Sequence, residues 1–97
     1  MSLVPPELPA PSQGLHVATI GHLGRFWDVF LELADDPRRP EAYRGLLCFS
    51  PSDRNEGEEA KRTTVIFVEP SYEAAVRKAK GLEEHPLLGL LRSVLPD

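Results

Sequence analysis

The sequence predicts an α+β fold: a four-stranded antiparallel meander followed by two C-terminal helices packed on one face, in the order β-β-β-β-α-α. Three observations carry this. Apolar residues alternate with period two through several short stretches before residue 70. The period changes to the helical one after Pro70. The connections between the alternating stretches are short or polar, which favours sequential antiparallel neighbours over parallel crossovers.

Ninety-seven residues make one domain with one core. The opening "MSLVPPELPAPSQG" carries prolines at 5, 6, 9 and 11. Proline removes backbone donors and breaks helix interiors, so residues 1–13 read as a flexible Pro-rich tail and residues 14–97 as the folded domain. Pro6 and Pro9 make a PxxP spacing, which is common by chance and receives no function.

The first strand falls at about Leu15 to Ile20, "LHVATI". "GHLG" then supplies a hairpin turn, because a helix running through both Gly21 and Gly24 would lose on the order of 1 kcal/mol at each. The following "RFWDVFLELADD" is ambiguous by itself. Arg25, Asp28, Glu32 and Asp35 recur at helical spacing, yet Trp27, Val29, Leu31 and Leu33 alternate with Asp28, Phe30 and Glu32 as along a strand. The preceding turn, the aromatic and branched content of Phe26 to Leu33, and the terminating "DDPRRP" decide for a second strand.

A third strand, "YRGLLCFS", points Tyr43, Gly45, Leu47 and Phe49 one way and Arg44, Leu46, Cys48 and Ser50 the other. "PSDRNEGEEAK", residues 51–61, is polar and apolar-poor, and reads as a long exposed hairpin loop. The fourth strand is "RTTVIFVE", Arg62 to Glu69, where every residue from Thr63 to Val68 is β-branched or aromatic. Leu15 opposite Leu31 would place Val17 beside Val29. A one-residue change in the turn would pair His16 with Val29 and reverse the face of the first strand, so the register of this hairpin stays open.

Pro70 ends the strand and Ser71 offers a capping hydroxyl. Tyr72, Ala75, Val76 and Ala79 follow at helical spacing, and Gly81 closes the helix. A second helix runs from about Pro86 to Leu95, with proline tolerated in its first turn.

Composition narrows the function. A net charge of -4 and a pI near 5.3 oppose nucleic-acid binding, which depends on cations displacing counterions. The longest apolar run is far too short to cross a bilayer. The lack of a signal-like N-terminus and the single Cys48 point to the cytoplasm.

Five residues are candidates for chemistry: His16, His22, Asp28, Glu32 and Cys48. The histidines lack metal-ligand spacing and read as a strand residue and an exposed turn residue. Asp28 and Glu32 share one face of a strand, roughly 13 Å apart along it. That is the wet side of a strand more readily than a catalytic pair. Cys48 sits between Leu47 and Phe49 and reads as an inert buried thiol. "GHLG" is not followed by a helix and is no phosphate loop. No cofactor or metal is expected.

Two function classes follow. The first is a non-catalytic interaction module, a homodimer or a binder of another protein. The alternative is a small-ligand binder or small enzyme using the charged sheet face near Asp28, Glu32 and His16. The first is favoured because perturbed, convergent titratable groups are the mark of a site and none can be assembled from these residues; two helices, moreover, cover only one face of the sheet. The face left over would expose apolar side chains, and the candidate interface is Phe26, Phe30, Leu46, Ile66 and Val68, with Leu91 and Leu95 on the last helix. A second copy is the simplest cover. The tail, with Leu3, Val4 and Leu8 as plugs, is the other.

Overall fold

The computed structural model describes residues 12–34, 42–55 and 57–96. The leader at residues 1–11 and the "DDPRRP" turn at residues 35–40 lie outside the described residues. The architecture is α+β: an antiparallel sheet in meander order, a fifth strand paired to the third, and two helices at the C-terminal end. No helix among the described residues is long and apolar enough to cross a membrane.

Strands β1 (Leu15–His22) and β2 (Arg25–Ala34) form a hairpin. His22 pairs with Arg25, so the turn has two central residues, Leu23 and Gly24, with φ of 52° and 79°. Two positive φ angles mark the mirror-image turn whose twist matches that of the strands. The opening ambiguity of the second stretch resolves as a ten-residue strand.

The register follows the Leu15–Leu31 pairing at first and then shifts by one residue, in the direction away from the His16–Val29 alternative. Leu15 faces Leu31 and His16 faces Phe30, but Ala18, not Val17, faces Val29. Val17 is the extra residue of a bulge. The bulge keeps Leu15 opposite Leu31 and still turns Ile20 into the core beside Trp27. Just before β1 the chain passes so close to β2 that a β-carbon on Gly14 would collide with the carbonyl oxygen of Leu31.

Strand β3 (Tyr43–Pro51) pairs along the whole of β2, from Ala34 opposite Arg44 to Trp27 opposite Pro51. Its expected faces hold: Gly45, Leu47 and Phe49 are buried.

The single fourth strand expected over residues 62–69 is instead two short strands, β4 (Lys61–Arg62) and β5 (Phe67–Glu69), both paired to β3. The cause is two surplus residues. The Thr63 N–H donates to Leu47 O at 2.9 Å and the Ile66 N–H to Gly45 O at 2.9 Å. From the Arg62–Cys48 pair to the Phe67–Gly45 pair, five steps on one strand thus match three on the other. The Thr63 hydroxyl takes over part of the ladder by accepting from the Leu47 N–H at 3.1 Å.

Helix α1 (Tyr72–Lys80) starts where Ser71 caps it, the Ala74 N–H donating to Ser71 Oγ at 3.1 Å. Lys78 reaches back to Glu69 at 2.9 Å, tying the helix to β5. Helix α2 (Glu84–Val94) carries Pro86 in its first turn, where the missing N–H has no intrahelical partner to lose. Ala75 and Ala79 of α1 and Leu87 and Leu91 of α2 pack on Trp27, Val29, Leu31, Leu47, Phe49 and Phe67. That single cluster is the core, and among the described residues no helix covers the other face of the sheet.

Candidate functional site

The face away from the helices carries Asp28, Phe30 and Glu32 in a row along β2, because alternate residues of a strand share a face. Cross-strand pairing adds His16 and Thr19 from β1, and Ser50, Cys48 and Leu46 from β3. Arg62 joins from β4 beside Cys48. Every sequence candidate on the strands except His22 therefore lies on this face.

The polar groups divide into two sets. At one end, Asp28 Oδ1 accepts from the Thr19 hydroxyl at 2.8 Å, and Asp28 Oδ2 accepts from the Ser52 hydroxyl at 3.1 Å. His16 Nε2 stands 3.3 Å from Asp28 Oδ1 and 3.0 Å from Thr19 Oγ1. The arrangement is not a nucleophile relay. A relay needs the hydroxyl on one imidazole nitrogen and the carboxylate on the other, whereas here one nitrogen meets both. The imidazole instead packs edge-on to Phe30, with ring centroids 5.4 Å apart.

At the other end, Glu32 accepts from Arg62 Nε at 2.8 Å and Nη2 at 3.2 Å, and from the Ser12 hydroxyl. The Arg62 guanidinium, and then the Ser12 hydroxyl, outweigh partial burial and hold the Glu32 carboxyl below the usual carboxylate range. Glu32 correspondingly raises Arg62. Cys48 is fully buried between them, and burial pushes its thiol up despite the nearby Arg62 cation. A buried thiol kept protonated is a poor nucleophile.

The charged groups thus spend their hydrogen-bonding capacity on one another. No group of three His, Cys, Asp or Glu side chains that could hold a metal occurs among the described residues. His22 lies at the hairpin end, paired across to Arg25, and does not meet His16.

The apolar candidates separate as well. Phe26 is 67% exposed at the hairpin end and Val68 is 55% exposed on β5, with Phe30 and Leu46 half-buried between them. Ile66, in the irregular segment, is also exposed. Leu91 is a correction: it is fully buried in the core, because α2 turns it toward the sheet. Leu95 is half-buried against the same core. The uncovered face is consequently a mixed surface, with ion-paired and hydrogen-bonded groups interrupting the apolar ones.

The loop at residues 51–61 also departs from expectation. Pro51 is buried as the last residue of β3. Beyond it, Arg25 clasps both Asp53, at 2.9 Å, and Glu58, at 2.7 Å, while lying 5.6 Å from the centre of the Trp27 ring. Charge anchors a loop that has no apolar anchor.

At the far end of the hairpin a cleft of about 620 Å³ opens among Gly14, Leu15, Leu31, Leu33 and Tyr72, with the Glu32–Arg62 pair on its wall. Sequence reasoning missed Ser12, Thr19, Arg25, Ser52 and Arg62. Only strand pairing brings them to the acids, and a lone Ser, Thr or Arg in a strand or loop carries no local signal of that. Comparison of the chain with protein-family models, with curated proteins and with solved structures returns no match.

Proposed function

We propose that this chain is a non-catalytic protein-interaction module that binds through the uncovered face of its sheet. The observation that supports the reading is the composition of that face: Phe26, Phe30, Leu46 and Val68 offer apolar contact beside titratable groups already satisfied by one another. A catalytic site needs convergent groups with capacity to spare. An interface of mixed polarity, with aromatic anchors in a polar rim, is typical of partners that also exist apart. The lone cysteine suits a reducing compartment such as the cytoplasm.

The test is a photo-cross-linking residue introduced at position 68, and separately at position 30, in the full chain. The expected result is a discrete protein adduct, with the chain itself or with one other protein of the native lysate, that is missing when the probe replaces exposed Arg77 on α1. Phe30→Arg should abolish association while unfolding stays cooperative. Equal, diffuse labelling from all three positions would remove the reading.

A second reading rests on the cleft, whose volume lies within the range of small-ligand sites. It calls for a small polar ligand beside Glu32 and Arg62. Thermal-shift screening of wild type against Glu32→Gln tests it: a stabilising ligand lost in the variant would favour this reading.

A further inference from the structure

Strands β1 and β2 end out of step. β1 begins at Leu15, whose partner is Leu31, while β2 runs on to Ala34 and stays paired to β3 through Leu33–Gly45 and Ala34–Arg44. Backbone hydrogen-bonding groups alternate between the two sides of an antiparallel strand. The Phe26 carbonyl faces β3, accepting from the Ser52 N–H at 2.8 Å. By alternation Asp28, Phe30 and Glu32 also turn their N–H and C=O toward β3, and Leu31 and Leu33 turn theirs toward the line of β1. Among the described residues no strand stands beside Leu33 on that line. The chain bends at Gln13 and Gly14, and Ser12 crosses to Glu32 on the uncovered face. No described backbone group bonds the outward N–H or C=O of Leu33.

The cleft of about 620 Å³ opens at this point, and it straddles the edge of the sheet. Its walls differ because the two faces differ. Leu31 and Leu33 share the helix side with Tyr72 of α1, whereas Ser12, Glu32 and Arg62 belong to the uncovered side. One N–H and one C=O offered outward by the same residue are half of an antiparallel pair, and the complement is one residue of an extended peptide. The residue opposite Leu33 would direct its side chain to the side of Leu33 and Tyr72, and its two neighbours would direct theirs to the side of Glu32 and Arg62. A peptide that alternates polar, apolar and polar residues meets the edge and both walls at once. A compact polar molecule meets only the wall where Glu32 and Arg62 already bond each other.

We infer that the cleft binds an extended peptide, added to the β2 edge at Leu33 in line with β1, with an apolar residue at its centre and a polar residue on either side. The inference rests on the reading of the cleft as a ligand site and names the class of ligand. Main-chain hydrogen bonds to Leu33 supply the recognition of a backbone, and the unlike walls supply the preference for alternating side chains.

NMR titration of the isotope-labelled full chain with the capped peptide acetyl-Thr-Val-Thr-amide, into the millimolar range, tests the inference. The Leu33 amide signal should shift saturably and its hydrogen exchange should slow, while the Val94 amide on α2 stays in place. Acetyl-Thr-Pro-Thr-amide has no central N–H to donate to the Leu33 carbonyl, and should bind at least about tenfold more weakly. Leu33→Pro removes the outward N–H at an edge, where proline is tolerated, and should lose the binding while unfolding stays cooperative. If that variant does not fold, the two peptides decide alone. A Leu33 amide unmoved by the valine peptide, a proline peptide that binds as tightly, or a folded Leu33→Pro chain that binds like wild type would each overturn the inference. These outcomes are distinct from failure of the cleft reading. A small polar compound that stabilises wild type but not Glu32→Gln, with no response of Leu33 to the peptide, would keep the cleft and end the peptide; absence of both would end both.

Discussion

Arg25 and Glu58, thirty-three residues apart, meet in a two-armed ion pair, Nη1 to Oε2 at 2.7 Å and Nη2 to Oε1 at 3.0 Å. The two parallel bonds use the flat geometry that guanidinium and carboxylate share. Arg25 also donates from Nε and Nη2 to Asp53, so one side chain at the start of β2 holds both limbs of the loop after β3. Arg25→Ala should therefore release that loop without unfolding the sheet. Trypsin should then cut after Arg54 markedly faster than in wild type, with the thermal transition still cooperative; an unchanged cleavage rate would show that the loop is held by something else.

The same contact sets a pH response. The Glu58 carboxyl is held down to about 2 from an ordinary 4.5, first by the Arg25 guanidinium and then by the Asn55 N–H. Because the folded value is the lower one, the contribution of the contact is complete above the ordinary value and is lost as pH falls through about 2. Carboxyl chemical shifts followed by NMR should give a Glu58 midpoint far below that of an unpaired glutamate. A midpoint near 4.5 would mean that the pair does not persist in solution.

Leu23→Asn should raise the stability of the chain by about 1 kcal/mol, since it replaces a leucine held at positive φ by a residue that tolerates it. For a domain of this size that corresponds to roughly 4–8 °C in thermal midpoint. Scanning calorimetry at low concentration measures it, and a lower midpoint would show that Leu23 packs in solution.

A buried leucine and an exposed valine should respond to truncation very unequally. Leu91→Ala, which empties a fully buried position between α2 and the sheet, should cost about 2–5 kcal/mol. Val68→Ser, on the exposed face of β5, should change stability by less than about 0.5 kcal/mol. Urea unfolding of both variants gives the comparison. Equal effects would mean that the two faces of the fold are assigned the wrong way round.

Cys48 should resist thiol reagents in the folded protein, because its thiol is fully buried and its ionisation is opposed by that burial. Labelling should proceed at the rate of opening and become immediate in denaturant. Rapid labelling under native conditions would indicate that the Ser12 end of the sheet opens readily.

How much of this was legible in the residues depends on the range of the interaction. The period-two alternation of Trp27, Val29, Leu31, Leu47 and Phe49 determined the core face of β2 and β3, since a strand has only two faces and a run of alternate apolar residues chooses one. The glycines of "GHLG" determined the hairpin, and the change of period after Pro70 determined α1 and its Ser71 cap. Those are local relations, fixed within a few residues by backbone sterics and spacing.

The tertiary structure alone decided the bulge at Val17, the break between β4 and β5, and the pairing of Glu32 with Arg62 across thirty residues. It also decided that the uncovered face would be mixed in polarity and that Leu91 would leave it for the core. Each depends on which residue of a distant strand arrives opposite. One surplus residue between two anchored ends shifts that neighbour by a step while leaving the alternation along the strand intact, so the pattern of a single strand does not record it.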